Sequence, residues 1–256
     1  DIGLPGRQEE FARKVYDLHK KTVVLHYDGR PLSNEFVASH YDAIIEVWQG
    51  GECGSQALCK VLFGEISPSG HLPVTVARNS GQLPVYYGLP RGSGYVSAGH
   101  TGMIRNKNGY INDTAEPLFY FGHGLSYAEF EYSDVKISDG QIDADGSVTV
   151  SCRIKNVGKY AGAEVVQLYF SDKVASMVRP TKELAGFARV ELDKNEEKEV
   201  CFKVKATQFA FLDENMKWKV EKGAVRLEIG ASCRDIRLGA EVNIINDKYI
   251  DGKTRG

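Results

Sequence analysis

Apolar residues recur every three or four positions near the start of the chain and every second position in its latter half. After Pro5-Gly6, the run RQEEFARKVYDLHK sets Phe11, Val15 and Leu18 at i, i+4 and i+7, one face of a helix. TVVLHYDG (22–29) and AIIEVW (43–48) are short, nearly continuous apolar runs and predict buried strands. Between Gly50-Gly51 and Gly64, ECGSQALCKVLF gathers Ala57, Leu58, Val61 and Leu62 on one side of a second helix, with Gly64 as its stop. Helix, strand, strand, helix predicts an α/β layer with a mostly parallel sheet.

Residues 78–116 hold no period. This stretch is rich in Gly, Asn and Ser, and ordered connectors of such length in compact domains are typically functional. From about Phe130 the texture changes. SVTVSCRIKNVG, AEVVQLYFSD, ELAGFARVEL, EKEVCFKVKA and AVRLEIGAS alternate apolar and polar residues between turn signals. They predict an antiparallel sandwich of about seven strands. The expected organisation is an α/β segment over 1–128, an all-β sandwich over 129–246 and a polar tail or linker over 247–256. PLFYFGHGLSY (117–127) stands at the junction. Its rings, Phe119, Tyr120 and Phe121, can bury area in a seam, and Gly122 and Gly124 let the chain turn there. No phosphate-loop pattern is present, since neither GxGxxG nor GxxxxGK[ST] occurs.

Length and charge narrow the field. The 256 residues fit roughly two domains. A net charge of −2 supplies no basic field for nucleic acid. No apolar run approaches the ~18 residues that span a bilayer. The chain opens on Asp1 with no signal peptide, as expected of a processed chain or a fragment. Its five cysteines cannot all pair internally, and the count leans towards a reducing compartment. Cys152 and Cys201 fall in two strands of one sandwich, which leaves a bridge between them open.

No His, Asp, Glu or Cys cluster has metal-ligand spacing, and no cofactor is expected. Glu52 opens a helix, where an acid offsets the helix dipole. It is also the best carboxylate for chemistry, because open α/β sheets bind ligands beyond their strand ends. Asp28, near a strand end, reads as a polar anchor, and His123 as a hydrogen-bonded packing residue. Substrate contact is expected from the long loop. Aromatic faces and a few polar donors together make a ligand pocket, which selects Tyr86, Tyr87, Arg91, Tyr95 and His100, with Asn106 as a further donor. Tyr86 and Tyr87 are adjacent, so in extended chain they point opposite ways and only one can face a ligand. Asn112-Asp113-Thr114 matches a glycosylation acceptor.

Longer blocks carry a likeness: DIGLPGRQEE, GRPL, VWQGGECGSQALCKVLFGEISPSGHLPVTV, QLPVYY, PLFYFGHGLSYAEFEYS, IKNVGKYAGAEVVQLYFSD, RPTKELAGFARVEL and AFLDENMKWKVEKGAVRLEIGAS. With these blocks the chain resembles the C-terminal portion of glycoside hydrolase family 3, the β-glucosidase and β-xylosidase family. The resemblance implies the latter half of an α/β sandwich domain followed by a fibronectin type III-like domain. It implies a retaining, exo-acting β-glycosidase, with a barrel domain or chain as partner and a β-linked saccharide or glycoside as substrate. The family's aspartate nucleophile belongs to the barrel, and its glutamate acid/base lies upstream of the stretch matching Asp1–Gly6. By this reading both fall outside residues 1–256, and the chain alone is inactive. A non-catalytic structural or carbohydrate-binding remnant is the other reading. An uncovered apolar sheet edge or face, an aggregation hazard, argues against it.

Overall fold

The computed structural model describes residues 1–90, 113–172 and 174–255. The first segment holds helix α1 (Gln8–Tyr16), strand β1 (Val23–His26), helix α2 (Glu35–His40), strand β2 (Ala43–Glu46) and helix α3 (Gly54–Leu62). Strands β1 and β2 pair in parallel, with Val23 opposite Ala43 and His26 opposite Glu46. Asn34 starts α2 by accepting a hydrogen bond from the Val37 amide at 3.1 Å, and Val37 is buried beneath it. The Tyr41 hydroxyl donates to the Ala12 carbonyl at 2.6 Å and ties α2 to α1.

The expected partial α/β sandwich is thinner than its pattern implied. Among the described residues of this segment, the parallel sheet is the two-stranded pair alone. Neither α1 nor α3 has a buried residue, and Phe11 is 68% and Phe63 83% exposed. An apolar stripe tells which side of a helix seeks cover; it does not supply the covering layer.

From Phe130 the chain builds strands in quick succession: β3 (Phe130–Ile137), β4 (Gln141–Ile142), β5 (Ser147–Asn156), β6 (Gly162–Asp172), β7 (Glu183–Leu192) and β8 (Glu197–Lys205). Then come β9 (Phe211–Leu212), β10 (Trp218–Val220), β11 (Gly223–Gly230), β12 (Ile236–Ile244) and β13 (Lys248–Tyr249). One sheet runs β4-β12-β11-β6-β7 and faces a second, β3-β5-β8. Pairing is antiparallel except for the short contact of β4 with β12. The core takes alternate residues from each strand: Val148, Val150, Cys152 and Ile154 from β5, Val166, Leu168 and Phe170 from β6, and Val225, Leu227 and Ile229 from β11.

Register decides the cysteines. Ser151 is opposite Cys201 and Cys152 is opposite Val200, so the two thiols leave opposite faces of their sheet. Cys152 is buried and Cys201 exposed, and all five cysteines are free. The segment expected as tail or linker packs against the sandwich. β13 pairs with β10, and the Arg255 guanidinium lies 4.9 Å from the Trp218 ring centre and 2.9 Å from Glu183.

Candidate functional site

The seam is built around β6. Its inward residues fill the sandwich core, while Gln167, Tyr169 and Ser171 point the other way and are buried too. The covering chain comes from the first segment. Residues 72–76 pair with 118–123 through Leu72 N–H to the His123 carbonyl (2.8 Å), Gly122 N–H to the Leu72 carbonyl (2.8 Å) and Val76 N–H to the Phe119 carbonyl (2.9 Å). Phe121 stacks on Tyr87 at 4.3 Å and meets Tyr169 edge-on at 6.5 Å. Gln167 donates to the carbonyls of Gly122 (3.1 Å) and Ala231 (2.7 Å), and its own oxygen accepts from the Tyr169 hydroxyl. His71 donates through Nδ1 to the Gly122 carbonyl at 2.6 Å. His123 stacks on Phe119 at 5.7 Å, and burial, with His71 close by, holds its imidazole below the usual histidine range. The seam reading of FYFGHG therefore has a concrete partner, the outer face of β6.

Both stems of the long loop rise from this seam. Gln82, 1% exposed, accepts from the Arg78 amide (2.8 Å) and donates to the carbonyls of Thr114 (2.8 Å) and Glu116 (3.1 Å). Asn79 donates to Asp113 at 2.6 Å. On the incoming stem, Thr181 donates to the Tyr87 carbonyl, the Tyr87 hydroxyl accepts from the Leu184 amide, and Pro90 bridges Pro180.

The residues selected for substrate contact divide accordingly. Tyr87 turns into the seam, where burial raises its phenol above the ordinary range. Tyr86 points away and is 53% exposed. Arg91, Tyr95 and His100, with Asn106 and the acceptor Asn112, lie outside the described residues. Glu52 is exposed in the turn before α3, with no hydrogen bond or ion pair among the described residues.

A second polar group was only partly read from sequence. Asp28 gathers with His26 and Glu46 at the ends of β1 and β2, one donor atom from each lying within 4.8 Å of the others. Burial, then the neighbouring Glu46 charge, pushes the Asp28 carboxyl above the usual carboxylate range. The signal lay in two apolar runs that both end on a titratable residue, VVLH and AIIE. Linear spacing missed it because a parallel register, not sequence distance, brings the two ends together.

Comparison with known proteins accounts for nearly the whole chain. The glycosyl hydrolase family 3 C-terminal domain matches residues 1–127, and a fibronectin type III-like domain matches 164–233. Thermostable β-glucosidase B of Acetivibrio thermocellus is 36% identical over 244 residues, 95% of this chain and 32% of that protein. A β-xylosidase of Formosa agariphila is 37% identical over 234 residues, 91% of this chain and 31% of its own length. The structure superposes on a β-glucosidase from Listeria innocua, solved with glucose, at a TM-score of 0.87 and 34% identity, covering 96% of this chain and 34% of that one. The chain thus spans about a third of the length of such relatives. With its two consecutive domain matches and this chain-long likeness, the chain belongs to glycoside hydrolase family 3, of which it carries the C-terminal domain and a fibronectin type III-like domain.

Proposed function

We propose that this chain is part of a retaining, exo-acting β-glycosidase, a β-glucosidase by first choice, that removes terminal β-linked sugars. The observation that carries the reading is the likeness to β-glucosidases and a β-xylosidase over more than nine-tenths of the chain. A retaining hydrolase needs two carboxyl groups ~5–5.5 Å apart, one a nucleophile and one a proton donor, both open to the sugar. Asp28 and Glu46 are close together, but both Asp28 oxygens and Glu46 Oε1 are shut from solvent. As the family resemblance implies, nucleophile and acid/base are assigned to a barrel and an upstream segment outside residues 1–256. In this reading the chain builds one wall of the substrate pocket. Tyr86 and the loop residues Arg91, Tyr95 and His100 meet the sugar or aglycone, while Tyr87 anchors the loop base from the seam. The exposed apolar side chains of α1 and α3 favour an assembled enzyme over a free-standing remnant, since covering them recovers roughly 25 cal/mol per Å².

The test is an assay on aryl β-glucosides and β-xylosides. The 256-residue chain alone should show no turnover. Joined to a barrel-bearing segment it should become active, and Tyr86→Ala or Arg91→Ala should then shift substrate preference with little change in stability. Turnover by the isolated chain that disappears with Glu52→Gln would overturn the assignment.

A further inference from the structure

The polar cluster at the ends of β1 and β2 has no part in the reading above and stands independently of it. His26 and Glu46 are the last residues of their strands and are direct partners in the parallel register, so their side chains leave one face of the pair. Asp28 follows two residues after His26. His26 Nδ1 stands 3.4 Å from Glu46 Oε2. His26 is 8% exposed, and both oxygens of Asp28 and Oε1 of Glu46 are buried with no well-formed hydrogen bond among the described residues, the Asp28 carboxyl feeling the Arg30 backbone and the Glu46 carboxyl beside it. The nearest guanidinium in sequence, Arg30, is occupied by the carbonyls of Ile2, Gly3 and Pro31. Among the described residues no lysine or arginine forms an ion pair with Asp28 or Glu46.

Buried polar atoms of native proteins are nearly always satisfied, and a group left without a partner calls for an explanation. Two carboxylates side by side also repel unless a positive charge lies between them. We propose that His26, Asp28 and Glu46 bind a divalent first-row transition-metal cation, with Zn²⁺ the best fit. Two carboxylates balance a divalent charge. One imidazole beside them favours zinc-like ions over Mg²⁺ and Ca²⁺, which take oxygen ligands. Tetrahedral zinc, with bonds of ~2.0–2.2 Å, sets its ligand atoms ~3.3–3.5 Å apart. The His26–Glu46 pair already has that separation, and the 4.8 Å spread of the full set closes by side-chain rotation. The ion would pin together the carboxyl ends of two parallel strands, the place where open α/β sheets take ligands.

The experiment titrates the whole chain with Zn²⁺ alone, by calorimetry in chelator-treated buffer, with thermal melting in parallel. Cys53, Cys59 and Cys201 are exposed thiols, so all three are first replaced by Ser. The expected result is one Zn²⁺ per chain and a melting temperature that rises with Zn²⁺ but not with Mg²⁺. Asp28→Asn and His26→Gln should each weaken binding by at least the ~10–100-fold that loss of an outer-shell partner costs. Asp28→Asn should also raise the melting temperature of the metal-free chain, by removing the like charge beside Glu46. No Zn²⁺ uptake, equal response to Mg²⁺, or uptake untouched by Asp28→Asn would each overturn the site. Should His26→Gln fail to fold, the near-isosteric Asp28→Asn decides alone.

Discussion

Gly122 shows how much one missing side chain can settle. Its φ of 79° lies in the left-handed region, and a Cβ there would sit 2.1 Å from Gln167 Oε1. Gln167 cannot swing aside cheaply, because Gly122, Ala231 and Tyr169 all hold it. Gly122→Ala should therefore cost ~1–2 kcal/mol for the backbone and ~1–3 kcal/mol more for the crowding. Gly6 is the control: its φ is 60°, but nothing lies within 4 Å of its added Cβ. Urea unfolding of both variants should show Gly6→Ala losing only the backbone part. Equal losses would mean that the seam at Gly122 has room. The sequence marks Gly122 as a turn glycine; it cannot name Gln167, forty-five residues away, as the reason.

At the scale of elements, Gln82 does for the long loop what a cap does for a helix. One buried amide satisfies groups on both stems, a backbone N–H at Arg78 and carbonyls at Thr114 and Glu116. Gln82→Ala would leave those groups without that partner and should cost ~2–4 kcal/mol, read as a lower urea midpoint. A loss below ~0.5 kcal/mol would show that water replaces the amide freely. Elements were legible in proportion to how local their causes are. The alternation of β5, β8 and β11 comes from a single wet face and stands in the sequence unaided. β6 hid its second buried face, because polar Gln167 and Ser171 look outward until the seam is known. The short helix α2 escaped periodicity altogether, though the Asn34-Glu35 start was a readable cap signal. For the site, the seam separates buried Tyr87 from exposed Tyr86, a contrast that rests on the fold around them; the His26–Glu46 pairing needed the register.

Across the whole molecule, cover is uneven. The sandwich closes over its own core, whereas α1 and α3 hold no fully buried residue and half of β1 is exposed. Hydrogen exchange should follow that contrast. Amides of β5, β6 and β11 should exchange only on global unfolding, and those of α1 and β1 through local opening many-fold sooner. Equal protection in both regions would mean that the first segment is stabilised by something other than its described contacts. The strand β6 then acquires a meaning beyond stability. It is a party wall: one side belongs to the sandwich, the other to the preceding segment, and neither can be rebuilt without the other noticing. The boundary that matters for exchange between relatives is therefore not a point on the chain near residue 129. It is a surface through the pleat of one strand, and a foreign sandwich grafted onto this first segment would have to bring its own counterparts of Gln167 and Tyr169 to fit.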